Sequence, residues 1–153
     1  MKRILQNIQH DYPPQFWLLF WGMLLATAGA SMIWPFLMIY VSEKLALPMT
    51  SVASLMTLNA ATRLTASFIA GPVTDRVGRK ITMIVGLAGM GVLYLAMIPA
   101  ETIAAFAVLM ALRGICNPLY RVGADAMVAD LIPTRQRADA YALTRLSKHV
   151  GVA

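Results

Sequence analysis

Apolar residues fill this chain in long runs, and short polar connections break the runs at intervals. Five runs follow one another: Phe16 to Tyr40, Ser51 to Val73, Ile81 to Ile98, Ile103 to Ala129, and one that begins near Ala138 and is still open at Ala153. Each of the four complete runs approaches or exceeds the ~20 residues that a helix needs to cross ~30 Å of hydrocarbon. Inside lipid only helices and closed barrels satisfy their own backbone groups, and the period-two alternation of a barrel is absent. The pattern predicts an all-α membrane protein with about four complete transmembrane helices and the start of a fifth. Residues 1–15 read as an N-terminal segment and residues 16–153 as a partial transmembrane domain.

The first run has to be told apart from a cleaved leader. Lys2 and Arg3 precede it, and Ala28-Gly29-Ala30 resembles a signal-peptidase site. A leader's apolar region spans ~7–15 residues and starts soon after its basic residues. This one starts at Phe16 and passes Ala30 to reach Tyr40, which marks a retained helix. Lysines and arginines then set the orientation. The N terminus holds Lys2 and Arg3, the second connection Arg76, Arg79 and Lys80, and the fourth Arg135 and Arg137. The first connection has only Lys44 beside Glu43, and the third only Glu101. Bases therefore alternate sides in step with the helices, which places the N terminus and connections two and four in the cytoplasm.

Composition agrees with lipid as the solvent. Hydrophobic residues make up 59% of the 153 residues and charged ones 13%, and the mean hydropathy is +0.66. A soluble domain carries about twice that share of charge. Cys116 is the single cysteine, so it forms no internal disulfide, and no metal-ligand spacing is present. The net charge of +6 raises nucleic acid as a partner, but the bases sit between apolar runs without interleaved aromatics, so that reading fails. No nucleophile–base pair or phosphate-cradling glycine loop points to an enzyme, and no cofactor is called for. Small residues (Gly22, Ala26, Gly29 and Ala30 in the first helix, Gly86, Gly89 and Gly91 in the third) predict close helix packing.

The densest charge falls in residues 71–80, Gly71-Pro72-Val73-Thr74-Asp75-Arg76-Val77-Gly78-Arg79-Lys80. Glycine tolerates positive φ, so Gly78 allows a tight reversal between antiparallel helices. Pro72 lies near the end of the second helix, where a missing amide bond costs little. Asp75 is flanked by bases that favour its ionised, paired form. This stretch resembles motif A of the major facilitator superfamily: glycine, an acid four residues on, a base, a glycine and two terminal bases. Val73 and Thr74 depart mildly from the usual leucine and alanine. A second stretch, Gly114, Leu119-Tyr120-Arg121, Ala129-Asp130-Leu131-Ile132-Pro133, Arg137 and Ala140-Tyr141, resembles the fourth helix and exit loop of efflux-type members. Arg145 and Gly151-Val152-Ala153 continue into what resembles the start of their helix five, with His149 where asparagine is usual. The resemblance implies a twelve-helix fold in two halves, and a charge relay that latches the halves in one alternating state. Carried over, Asp75 and Arg79 act in that latch with Arg137 as the loop partner and Asp139 as an accompanying acid. The alternative for Arg137 and Asp139 is a solvated pair.

Ionisable groups within spanning helices are costly, and each is a functional candidate. Arg63 lies twelve residues before Asp75, about 18 Å along a helix, which sets it near the bilayer midplane. Arg121 and Asp125 are four apart and share a helix face, so they suit a structural pair. Asp125 is also the one acid well inside a helix and hence the candidate proton carrier, although pairing opposes proton uptake. Arg63 and Arg113 have no evident acid partner in this chain: they meet an acid on a further helix, line a water-filled cavity, bind an anionic substrate, or pair with backbone carbonyls or another helix. The family's motif B arginine precedes the helix-four glycine by four residues, where this chain has Met110, so its proton-linked role does not transfer to Arg113. The first helix also lacks an acid, which speaks against proton coupling.

The resulting expectation is transport of a small molecule by alternating access, as proton-linked efflux of drug-like compounds, by an N-terminal fragment of an efflux-type transporter in a bacterial plasma membrane. Its partners are the lipid bilayer, a small-molecule substrate, protons and the C-terminal half of the same transporter. The alternatives are transport of an anionic metabolite, and a non-transporting membrane piece that acts only through partner helices.

Overall fold

The computed structural model describes residues 12–150, so Lys2, Arg3 and Gly151-Val152-Ala153 lie outside the described residues. Within that span the chain is helical, with α1 Pro14–Leu45, α2 Met49–Val77, α3 Arg79–Ala96, α4 Ile103–Leu131, a 3-10 turn Thr134–Gln136 and α5 Arg137–Val150. Among the described residues, α1, α3 and α4 are long and apolar enough to cross a membrane. The protein is an all-α integral membrane protein. At 29 residues α2 is also long enough, at about 44 Å, but it is the polar member of the set. Ser54, Thr57, Thr62, Thr65, Ser67 and Thr74 each donate a hydroxyl proton to a carbonyl three or four residues back on α2.

The helix ends have local causes. Pro14 opens α1, where a missing N–H removes no helical bond. At the other end Ala46 adopts φ +50°. The Leu47 amide donates to the Ser42 carbonyl at 3.1 Å and the Ala46 amide to Glu43 at 3.3 Å, the double bond of a Schellman cap. Ser42 adds a hydroxyl bond to the Leu47 carbonyl at 2.8 Å. This cap carries α1 past Tyr40, where the apolar run ends. Lys44, in the last turn of α1, donates to the Ile98 carbonyl just beyond α3 and to the Tyr40 hydroxyl. The cap position suits glycine, and alanine is strained there. Ala46→Gly is therefore expected to raise unfolding stability by about 1 kcal/mol, read as a higher Tm in detergent; a lower Tm would contradict the assignment.

The chain divides into two compact units, residues 33–124 and residues 1–32 with 125–153. In the first, Leu37 and Val41 of α1, Val52 and Leu55 of α2, and Phe106 and Met110 of α4 form a buried core with Met97 and Ala100. Glycines set how closely its helices cross. A Cβ on Gly86 would lie 2.6 Å from the Tyr120 nitrogen and 3.0 Å from the Cys116 carbonyl oxygen. One on Gly123 would lie 2.9 Å from the Met83 nitrogen, and one on Gly114 would lie 2.8 Å from the Asn59 carbonyl oxygen. Backbone thus meets backbone between α3 and α4, and between α2 and α4. Gly89 opposes the Cys116 sulfur. A Cβ on Gly22, Gly29 or Gly91 would meet nothing within 4 Å, so among the described residues these glycines, unlike Gly86 and Gly89, take no part in a close helix crossing. In the second unit, Phe16, Leu19 and Met23 of α1, Val128 with Ile132, and Ala140 of α5 are buried.

Candidate functional site

Arg113 stands in the middle of α4, an apolar helix, and is only 8% exposed. Burying a cation in a spanning helix is costly unless its donors are met. Three other helices supply partners. The guanidinium Nε donates to the Tyr94 hydroxyl of α3 at 2.9 Å. Nη1 donates to Asn59 Oδ1 of α2 at 3.4 Å. Asn59 is itself buried, and its Nδ2 donates to the Met110 carbonyl at 2.7 Å, which fixes the amide so that Oδ1 faces the arginine. The guanidinium lies over the Trp34 ring of α1 at 4.2 Å and near the Tyr94 ring at 5.2 Å, both within cation–π range. Four helices of one unit therefore converge on one charge, and every partner named is neutral.

The glycine-containing turn is the second feature. Gly78 alone joins α2 to α3, with φ +101° and ψ 138°. Its amide donates to the Thr74 carbonyl at 3.0 Å, and its carbonyl accepts from the Thr82 amide at 3.0 Å and the Thr82 hydroxyl at 2.9 Å. The residue thus closes one helix and opens the next. Around it Asp75, Arg76 and Lys80 are exposed, and Gly71 and Arg79 are half-buried.

Arg63 on α2 and Arg121 on α4 are exposed, and Asp125 is half-buried. The Asp125 carbonyl accepts from the Tyr141 hydroxyl at 3.0 Å, which ties α5 to α4. Arg137 has a local partner: its Nε donates to the Ile132 carbonyl at 3.2 Å, near the end of α4, where a cation also suits the helix dipole. Asp139 is exposed in the first turn of α5. Among the described residues no group of three or more His, Cys, Asp and Glu side chains could hold a metal ion. Trp34, Asn59 and Tyr94 were not legible as site residues. The one available signal was Asn59, an amide inside an apolar run.

Residues 19–153 match the sequence profile of the Major Facilitator Superfamily. The chain is similar to an uncharacterized MFS-type transporter, YqjV, of Bacillus subtilis (strain 168), at 25% identity over 93% of this chain and 35% of that protein. A second uncharacterized MFS-type transporter of the same organism, YhjO, is 27% identical over 90% of this chain and 34% of its own length. A Na(+), Li(+), K(+)/H(+) antiporter of Planococcus maritimus is 29% identical over 79% of this chain and 29% of its own length. The chain spans about a third of the length of these curated relatives.

Proposed function

Since the chain belongs to the Major Facilitator Superfamily, we propose that it serves transport of a small molecule by alternating access, as proton-linked efflux of drug-like compounds. The observation that carries this reading is the one-residue turn at Gly78, which sets Asp75, Arg76, Arg79 and Lys80 together between the long helix α2 and the membrane-length helix α3. The efflux-type pattern along α4 and its exit loop supports export. Exchange against protons is supported by the Planococcus maritimus relative, which is named an antiporter with H(+). The same name favours a second reading, exchange of a monovalent cation for protons. Asp75 and Arg79 form the latch, with Arg137 and Asp139 on the loop side, and Asp125 carries the proton with Arg121 as its neighbour on α4. The N terminus and the Gly78 turn face the cytoplasm of a bacterial cell.

Everted vesicles from cells making the protein separate these readings. Drug efflux predicts energy-dependent ethidium uptake that stops when a protonophore collapses the gradient. Cation exchange predicts that sodium or potassium pulses dissipate the pH gradient without any ethidium movement. Uptake that persists undiminished with the gradient collapsed refutes proton linkage. In the same assay Asp75→Asn is expected to lower flux about tenfold while leaving substrate Kd unchanged. Normal flux in that variant would remove the latch from the mechanism.

A further inference from the structure

The Arg113 guanidinium presents five N–H donors in a planar fork. Nε is used by the Tyr94 hydroxyl and one Nη1 donor by Asn59, the latter over a long 3.4 Å. Among the described residues Nη2 has no hydrogen-bond partner, and no carboxylate lies within ion-pair distance of the group. The cation is 8% exposed and is met by a tyrosine hydroxyl, an amide oxygen and two ring faces. Neutral dipoles and π-faces offset part of the desolvation cost of a buried cation, but they leave its net charge uncompensated. A counter-anion would remove that deficit.

We propose that the open edge of Arg113 is a binding site for a small monocarboxylate. On the side edge of a guanidinium the Nε and Nη2 hydrogens point the same way, in the spacing that a carboxylate meets with two oxygens. Here the Tyr94 oxygen occupies Nε as an acceptor, and its own hydroxyl proton remains available for donation. A carboxylate at Nη2 therefore takes one charge-assisted bond from arginine and a second from tyrosine. Trp34, stacked at 4.2 Å, holds the fork in plane, and the Asn59 amide, pinned by its bond to the Met110 carbonyl, prevents rotation about the far edge. A spherical anion gains less, because a single acceptor atom cannot meet both donors each along its own bond direction, as two carboxylate oxygens do. The site depends neither on the direction of transport nor on which compound is exported.

The test uses the full chain in phosphatidylcholine nanodiscs with Trp17→Phe and Trp21→Phe, so that Trp34 is the single indole. Acetate is titrated against chloride at constant ionic strength. The expected result is a saturable change in Trp34 fluorescence. Arg113→Gln should abolish it, and Arg113→Lys, which keeps the charge but loses the fork, should weaken it at least tenfold. Tyr94→Phe, which keeps the ring and removes only the hydroxyl, should weaken it several-fold. A linear, non-saturating response overturns the proposal, as does an unchanged midpoint in Arg113→Lys or Tyr94→Phe. Failure of ethidium transport in vesicles leaves this result untouched, so the two readings fail separately.

Discussion

Gly86→Val is expected to destabilise the protein by about 3 kcal/mol, at the upper end of the cost of overpacking a dense interface. The cause is the direct approach of two backbones. A Cβ at this position would lie 2.6 Å from the Tyr120 nitrogen and 3.0 Å from both the Tyr120 Cα and the Cys116 carbonyl oxygen. None of these atoms is the end of a flexible side chain, so no rotamer change relieves the clash. Helices α3 and α4 must separate, and that forfeits the matching approach at Gly123, where the neighbours are the Met83 nitrogen and the Arg79 carbonyl oxygen. In lipid the loss is direct, because close packing rather than a hydrophobic force holds helices together. Gly91→Val on the same helix is the control: its Cβ meets nothing within 4 Å, and a change within about 0.5 kcal/mol is expected. Thermal unfolding of both variants in detergent reads the difference. Equal Tm losses would show that helix propensity, not the crossing, sets the effect.

Gly78→Val is expected to cost about 2–3 kcal/mol through the backbone alone. A Cβ there has no neighbour within 4 Å, so space is not the issue. The residue sits at φ +101° and ψ 138°, a region open almost only to glycine. That ψ also lies far from the left-handed helical well in which asparagine is tolerated, so Gly78→Asn should give no rescue. Because one residue joins α2 to α3, relief of the strain must unwind the last turn of α2 or the first of α3. Either movement displaces Asp75, Arg76, Arg79 and Lys80 from their common turn. The variant should therefore lose flux in vesicles as well as Tm. Full flux with a lowered Tm would mean that the turn is structural only.

Much of the fold was legible because membrane helices announce themselves by length. Runs of apolar residues that approach or exceed the length of a bilayer crossing leave little choice of secondary structure, and Gly78 between charged flanks marked the reversal. The boundaries were less legible. Helix α1 continues past its apolar run to Leu45 because a cap formed through Ser42, Glu43 and Ala46 closes it, and capping bonds of that kind lie outside hydropathy. Glycine roles were half legible. Gly86 and Gly89 face α4 while Gly91 does not, a difference of helix rotation that composition cannot encode. The surroundings of Arg113 were the least accessible. Its partners lie 54 and 19 residues away in sequence, and they meet only once four helices have taken their relative rotations. The arginine itself stood out as a charge in an apolar run, but an aromatic or amide on another helix carries no such mark.

The hydroxyls of α2 have a thermodynamic consequence of their own. Each spends its proton on a carbonyl of its own helix, and Ser54, Thr57, Thr65 and Ser67 do so from exposed positions. A polar side chain with its donor already satisfied loses little on leaving water and gains little on entering it. These four positions are therefore nearly indifferent to their solvent, whereas Leu64, Phe68 and Ile69, exposed on the same helix, are not. A hydroxyl of this kind differs little in free energy between hydrocarbon and water, so it adds almost no preference of its own to the apolar side chains beside it.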